Sequence, residues 1–552
     1  MRLINTTSLE LETFSGEEKP PYAILSHTWL EDRDEVTFQE FQDLSLRPQL
    51  QARPGFRKIQ KTCQLARDDY GLPYAWVDTC AVDKTSSTEL SEAINSMFNW
   101  YREAEMCIIY LSDLDGGSPI SDRKAPKEMK ACRWFARGWT LQELIAPRQA
   151  VFYNKDWHAI GRKSDVEFAN YISDVTEVNV GVLLQLEELA DVPVGVRMSW
   201  ASHRTTKRPE DQAYCLFGLF DVNMPLLYGE GARKAFMRLQ EEIIKDSPDM
   251  SIFAWTSTDL GHVGMLAPSP LYFCDLKGYV FCDDRAMYAS EHTITNRGLQ
   301  MLTTLGFDSA TGVHVLWTSI WHPEKNSFKI LLLRQIGINK FVRIFTTWEK
   351  RSLTPNGKLH KIRIPKVLTD RQARIMQRSY LQLGIGSDLK IEDCVASPIG
   401  SFNPAIMQIV PDYEAVFECY LTFSPPWAGE YDSFIVVCQC HAYRGGGWAF
   451  SVVTGDEWVA YRKEAPDGIV PLGREQFDFS STSKRLLLHH LFDETARKVV
   501  HIKLQAGGHE HPTILDLSIE HCLHGPLVER GAAVSKSVHS ASDLELCQAL
   551  QK

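Results

Sequence analysis

Four short apolar runs within residues 1–155 restrict the fold more than any other feature of the chain. Tyr22-Ala23-Ile24-Leu25 leads into Ser26, His27, Thr28 and Trp29. Tyr74 to Val77 (YAWV) leads into Asp78-Thr79-Cys80, and Met106 to Leu111 (MCIIYL) into Ser112-Asp113; Ala150 to Tyr153 (AVFY) is the fourth. Short continuous apolar runs are what strands buried on both faces look like. Between them lie helical patterns. Phe56 to Tyr70 has Ile59, Cys63, Leu65 and Ala66 at helical spacing, with Gly71 as its stop. Leu90, Ala93, Ile94, Met97, Phe98 and Tyr101 mark a second helix, and Ser86 and Glu89 have the spacing of a capping box before it. Strand and helix in alternation predict an α/β domain with a parallel sheet. In such sheets ligands bind where the strands end. The predicted site edge therefore runs along Ser26-His27, Asp78 with Asp83, and Ser112-Asp113.

The remainder reads differently. Residues 3–13 alternate apolar and polar and form a lead-in strand or hairpin. Residues 156–258 are dominated by helical patterns, with a basic island from Arg197 to Arg208 and breaks at Pro225, Gly229 and Gly231. Beyond Asp249 the periodicity becomes two, as in an all-β, sandwich-like region. The expected division is 1–155 α/β domain, 156–258 helical extension packed on it, 259–528 β-rich domain, and 529–552 a loose polar tail. No internal repeat is present at solenoid or propeller periods.

At 552 residues the chain is too long for a single core. Its net charge of -11 argues against a general binder of nucleic acid or of membrane surfaces, but leaves room for a small anion site. No run of 18 apolar residues predicts a membrane span. Thirteen cysteines without framework spacing, and no secretory leader at the start, predict free thiols and a cytoplasmic location. Gly229-Glu230-Gly231 lacks the Lys-Ser/Thr of a phosphate loop.

Candidate chemistry centres on Cys132 to Pro147, CRWFARGWTLQELIAP. Read as one helix, it places Phe135, Trp139 and Glu143 on a stripe at i, i+4, i+8, beside an apolar stripe of Trp134, Leu141, Leu144 and Ile145. Glu143 is then either an acid at the edge of a ligand pocket or a solvent-facing residue of an amphipathic helix. His27 is a general base, a ligand-orienting group or a structural histidine. Asp78 and Asp83 suit a ribose hydroxyl or a cation, or serve as turn and capping residues. Cys80 beside His27 and Asp78 suggests a Cys-His-Asp hydrolase, against the alternative of a buried thiol. Cys438-x-Cys440-His441 has no second pair at zinc-site spacing, and no metal is expected. Arg197, His203, Arg204, Lys207 and Arg208 either receive a phosphate or form a solvated basic loop.

YAILSHTW, then YAWVDTCAVDKTSSTELSEAINSMFNWYREAEMCIIYLSDL, then RWFARGWTLQELIAP resemble, in order and spacing, the heterokaryon-incompatibility (HET) domain of filamentous fungi. RMSWASHRTTKRPEDQAYCLFGLFDVNMPLLYGEGARKAFMRLQEEIIKDSPDMSIFAW resembles the helical region that often follows it. The family is implicated in fungal non-self recognition and the programmed cell death that follows. Its domain is similar to Toll/interleukin-receptor (TIR) domains, which implies a flavodoxin-like parallel sheet. The Trp-x-x-x-Glu-Leu element matches the TIR element that holds the catalytic carboxylate of NAD glycohydrolases, and it maps that role onto Glu143, with Trp139 four residues before it. Ser26, His27, Trp29, Asp78, Asp83, Ser112 and Trp139 are then substrate-binding candidates. The resemblance implies NAD as substrate rather than cofactor and self-association through the HET domain, with a partner or ligand for the β-rich region. A non-enzymatic signalling module and a Cys80 hydrolase are the alternatives. The first strand ends in Ser-His-Thr-Trp, and the loop after Asp78 differs from that of enzymatic TIR domains.

Overall fold

The structure is a computed structural model. It describes residues 1–15, 19–115, 127–256, 262–282, 291–308, 313–337, 339–350 and 359–368, and beyond these the strand segments 381–385, 390–397, 402–403, 408–409, 416–424, 434–441, 447–454, 492–493, 498–505 and 513–521. The hairpin of β1 (Arg2–Asn5) and β2 (Leu11–Thr13) leads into β3 (Tyr22–His27). There follow α1 (Pro54–Asp68), β4 (Tyr74–Trp76), α2 (Ser87–Glu103) and β5 (Met106–Tyr110). Next come α3 (Thr140–Ile145), β6 (Ala150–Tyr153) and β7 (Ala159–Arg162). These strands make one seven-stranded sheet in the order β2-β1-β4-β3-β5-β6-β7. β4, β3, β5 and β6 are parallel, and the flanking strands antiparallel. The predicted α/β sheet is present, and β7 carries it past residue 155. From β3 the chain moves first to β4 on one side and then to β5 on the other. That reversal makes the carboxyl end of β3 the place where a crevice opens.

Strand parity decides what each residue of β3 meets. Ala23 and Leu25 pack with Ile108, Val151 and residues of α1, including Ile59 and Cys63. Tyr22 and Ile24 pack on the other face with Cys107, Phe152 and residues of α2 and α3. Continuing the alternation, Ser26 turns towards α3 and His27 towards α1. α1 is amphipathic for this reason, since it covers one face of the strand set and leaves its other side to solvent, whereas every residue of α3 is buried.

The helix ends agree with the sequence in part. α1 opens with Pro54 in its first turn and stops before Gly71, whose φ of +66° suits glycine. Ser86 caps α2 by accepting from Glu89 N at 3.3 Å. The return half of the predicted capping box is missing there. The Glu89 carboxylate instead accepts from Asp83 N at 2.7 Å and from Arg2.

The single helix predicted for Cys132 to Pro147 is corrected to two. Arg133–Ala136 forms one turn, Arg137 is extended at φ -82°, ψ 138°, and α3 begins at Thr140. The break is pinned from outside. Thr205 N donates to Ala136 O at 2.7 Å and Gly138 N to Thr205 O at 2.9 Å. A Cβ on Gly138 would lie 2.5 Å from Thr206 Cγ2, so any larger residue forces the Thr206 side chain to shift. Phe135 is therefore not a turn below Trp139 on one helix, whereas Trp139 and Glu143 do share a face of α3.

Helical segments follow, the longest being α4 (Val166–Thr176) and α5 (Ala232–Asp246). The core runs from Ile24 and Trp134 through Phe236 and Phe253 to Leu331 and Ile364 without a break. Arg343 from the β-rich part donates to Phe253 O at 2.9 Å, and its guanidinium lies 4.0 Å from the Trp255 ring centre. From His262 onward the described residues are mostly strand, as expected, divided among a nine-stranded, a six-stranded and a four-stranded sheet. The expected loose tail, 529–552, lies outside the described residues. Among the described residues no helix is long and apolar enough to cross a membrane.

Candidate functional site

A cleft of about 190 Å³ opens at the carboxyl end of β3 and β4. His27, Trp29, Asp78, Trp139 and Glu143 line it, together with Lys84, Arg137, Thr140 and an apolar wall from α2. Lys207, Arg208, Asp211 and Tyr228 close its far side.

Glu143 lies at the floor and is 8 % exposed. Ser26 Oγ donates to its Oε2 at 2.5 Å and itself accepts from Trp134 Nε1 at 2.8 Å. The Tyr101 hydroxyl is also within hydrogen-bonding reach of this carboxyl, while it donates to Leu25 O at 2.9 Å. Burial pushes the Glu143 carboxyl up to about 8, against the opposing pull of the Ser26 hydroxyl; nearby Asp78 adds to the rise. Tyr101 has one proton to give. It satisfies Leu25 O while Glu143 is neutral, and must share that proton once Glu143 ionises. The floor of the cleft is thus coupled to the state of one carboxyl.

Beyond Glu143, α3 ends against Lys163, which is fully buried. Lys163 Nζ donates to Leu144 O at 3.1 Å, to Ile145 O at 3.4 Å and to Pro147 O. A cation on the last carbonyls satisfies groups that no helix bond reaches. Lys163→Met is expected to destabilise the protein by about 2 kcal/mol, since buried carbonyls lose their donor. Urea denaturation of the full chain reads this, and an unchanged midpoint refutes the capping role.

The second wall is a buried charged chain. Lys58 of α1 donates to Glu35 Oε1 at 2.5 Å and to His27 Nδ1 at 2.7 Å. An ammonium gives protons and takes none, so His27 carries its own proton on Nε2 and donates it to Asp78 Oδ1 at 3.1 Å. Burial and the Lys58 charge both push the His27 imidazole down, which favours this neutral form. Trp29 Nε1 donates to Asp78 Oδ2 at 2.8 Å, and Lys84 lies 3.8 Å from the same oxygen. Burial raises Asp78, but Lys84, His27 and Trp29 outweigh it and hold the carboxylate well below its usual range. Asp211 is held differently: Trp139 Nε1 donates to its Oδ2 at 3.1 Å and the Tyr228 hydroxyl to its Oδ1 at 3.0 Å.

Residues 22–123 match the heterokaryon incompatibility protein (HET) family. The chain carries a HET domain. Residues 234–269 match a domain of unknown function, DUF8212. The vegetative incompatibility protein HET-E-1 of Podospora anserina is 45% identical over 229 residues, which cover 41% of this chain and 16% of that relative's length. No solved structure matches the chain significantly.

Of the sequence-derived candidates, the HET segment brings His27, Trp29 and Asp78 to the cleft, with Ser26 directly behind Glu143. Trp139 and Glu143 join them from beyond the matched residues. Asp83 stands apart: it accepts from Thr85 N at 2.9 Å and from Gln39 at 2.7 Å, outside the cleft lining. Ser112 lies 3.5 Å from the Thr28 hydroxyl and does not line the cleft either. Cys80 is fully buried among Ala23, Leu25 and Cys63, and burial pushes its thiol well up. A nucleophilic cysteine needs access and a thiolate, so the Cys80 hydrolase is not supported.

The basic island divides. Arg197 donates to Leu219 O, and Arg204 is buried, donating to Arg137 O at 2.9 Å and Thr140 Oγ1 at 3.0 Å. His203 is exposed, while Lys207 and Arg208 reach the cleft. Among the described residues no group of His, Cys, Asp and Glu is placed to hold a metal. The side chains of Cys438, Cys440 and His441 lie outside those described.

Nothing in the sequence marks Lys58, Arg137, Asp211 or Tyr228 as site residues, and Tyr101 stands out only as an apolar position of α2. Lys58 left a trace of burial alone, since it occupies an inward position of α1 beside Ile59 and Thr62. Asp211 and Tyr228 left none, because only the fold brings them to the cleft.

Proposed function

We propose that this chain acts in vegetative (heterokaryon) incompatibility, as an effector of the cell death that follows non-self contact, and that its cleft cleaves the nicotinamide–ribose bond of NAD. One observation supports the second part most. Glu143, the residue matched to the TIR carboxylate, is a buried acid at the floor of a cleft with two tryptophans in its lining, Trp29 and Trp139. The parallel strands with their reversal at β3 are consistent with a flavodoxin/TIR-like sheet. The incompatibility role is supported by the HET match and by the Podospora relative.

Nicotinamide leaves as a neutral molecule from a cationic ring, so its departure needs no strong general acid. The ribose passes through an oxocarbenium-like state. A carboxylate in a water-poor site stabilises that positive charge and holds the ribose hydroxyls. Water then adds to the anomeric carbon and loses a proton, giving ADP-ribose and free nicotinamide. Glu143 must be ionised for this, and its raised pKa sets the pH dependence. Turnover at limiting NAD is expected to rise with pH towards about 8.

The test is purified full-length protein incubated with NAD, wild type against Glu143→Ala, followed by nicotinamide release. Release is expected to fall by about a hundredfold or more in the variant. Equal release from both proteins, or none from the wild type, overturns the enzymatic reading. Cell death that persists without NAD turnover points to a HET module signalling by self-association.

A further inference from the structure

We propose that the cleft recognises its ligand through a diphosphate held by Arg137 and Arg208, so that its ligand class is a dinucleotide or nucleoside diphosphate sugar rather than a nucleoside. This rests on the cleft being the site described under the proposed function, and it locates half of that site outside the matched HET residues.

The charge distribution is the first support. The protein has a net charge of -11, yet Lys84, Arg137, Lys207 and Arg208 all line this one cleft. Two of the four are engaged. Lys84 lies beside Asp78 and 3.6 Å from the centre of the Trp29 ring. Lys207 Nζ pairs with Asp32 Oδ1 at 2.9 Å, where both side chains are exposed. The two arginines are engaged more loosely, Arg208 with the Tyr228 hydroxyl and Arg137 at longer range with Glu143. Among the described residues neither guanidinium has a carboxylate within 4.0 Å. The Arg208 guanidinium lies over the Tyr228 ring instead, 4.2 Å from its centre.

The acids nearby offset these charges only in part: Arg208 pulls Asp211 down and Arg137 pulls Glu143 down, but no ion pair forms among the described residues. Asp78 is committed to His27, Trp29 and Lys84, and both oxygens of Asp211 are taken by Trp139 and Tyr228. Glu143 sits at the floor, where burial favours its neutral form. Two guanidinium groups without a carboxylate partner within 4.0 Å remain, and planar forks match phosphate oxygens two at a time. A cleft with low-dielectric walls also concentrates their field on whatever enters.

The supports of these arginines show why both segments are required. Arg137 is extended because residue 205 pairs with the chain on either side of it. The Tyr228 ring beneath Arg208 is fixed by the next loop: Gly229 N and Gly231 N donate to Glu210 Oε1 at 2.9 and 3.0 Å. Both glycines have positive φ, +102° and +84°, which that clamp demands. The anion subsite is therefore a joint product of residues 137 and 205–231, and the aromatic and acidic subsite a product of the strand ends and α3.

Calorimetric titration of the full chain tests this with ADP-ribose, which has no nicotinamide bond to cleave, against adenosine. ADP-ribose is expected to bind at least about 30-fold more tightly and to weaken as salt rises. Arg137→Ala/Arg208→Ala is expected to remove that difference while leaving adenosine affinity unchanged, and the double lysine variant to recover only part of it. Equal binding of ADP-ribose and adenosine by the wild type, no binding of ADP-ribose, or undiminished ADP-ribose affinity in the alanine variant overturns the proposal. Arginine-dependent ADP-ribose binding without nicotinamide release upholds the subsite and overturns cleavage. Nicotinamide release that is indifferent to both arginines overturns the subsite and leaves cleavage standing.

Discussion

Glu143→Gln is expected to melt at a higher temperature than the parent protein at pH 8 and to lose that advantage by pH 5. The carboxyl titrates near its ordinary value of 4.5 in the unfolded chain and at about 8 in the native site, because burial disfavours its charge. Between those values the native state binds more protons than the unfolded one, so stability falls as pH rises. Below 4.5 both states are protonated and the penalty is absent. Glutamine keeps an oxygen to accept from Ser26 and never ionises, so it escapes the penalty. At pH 8 the gain is on the order of 4 kcal/mol. His27 works in the opposite sense. Its native pKa lies below the unfolded 6.5, so the stability it contributes is present above 6.5 and is lost as pH falls from there through the lower native value. The His27 contribution is common to both proteins and cancels in the comparison. Calorimetric melting of both proteins at pH 5, 6.5 and 8 reads the result. A constant difference across the series shows that Glu143 ionises as an ordinary surface acid. A stabilised but inactive Glu143→Gln protein is the usual sign of a residue kept for function at the expense of stability.

The sheet was legible because its strands are apolar on both faces, which leaves little ambiguity between YAIL, YAWV, MCIIYL and a loop. The same patterning located Ser26, His27 and Asp78, since polar residues directly after a buried strand have few other places to be. Glu143 was legible only through resemblance: on spacing alone an amphipathic helix favours solvent for it. The helix break at Arg137-Gly138 was not legible, because it is imposed by backbone pairing with Thr205. Nor was the far wall. Asp211 and Tyr228 become partners of Trp139 and Arg208 only when the segment after the sheet folds back over its edge. Tyr101 reads as core from its position on the apolar stripe of α2, and its ring is buried. Its hydroxyl is what matters at the site, and apolar periodicity is blind to that. The β-rich half was recognisable from its period of two, but alternation does not specify how strands are shared among sheets.

Lys58→Met is expected to cost about 3–5 kcal/mol, the largest single-residue effect on stability foreseen for this protein. Lys58 and Glu35 form an ion pair with side chains only 5 % and 8 % exposed. Removing the cation leaves a carboxylate buried with just Leu30 N, at 2.8 Å, as its donor. His27 Nδ1 loses its partner as well. The methionine fills much of the same volume, so the loss is electrostatic rather than a cavity. Pairing Lys58→Met with Glu35→Gln removes both charges, and the double variant is expected to recover at least about 2 kcal/mol of the loss, because an intact buried pair is itself worth little over neutral packing. Denaturant midpoints for the parent, the two single variants and the double close the cycle. If the single substitution costs under about 1 kcal/mol, the pair is solvated and the chain from Glu35 to Asp78 does not hold the cleft. A second readout follows from the tautomer. Without the ammonium at Nδ1, His27 is expected to take up a proton at higher pH, because the charge that pushed its pKa down has gone. Nuclear magnetic resonance titration of the His27 ring, parent against Lys58→Met, reads that upward shift. Its absence means that Lys58 does not set the protonation of His27, and hence not the hydrogen bond that orients Asp78.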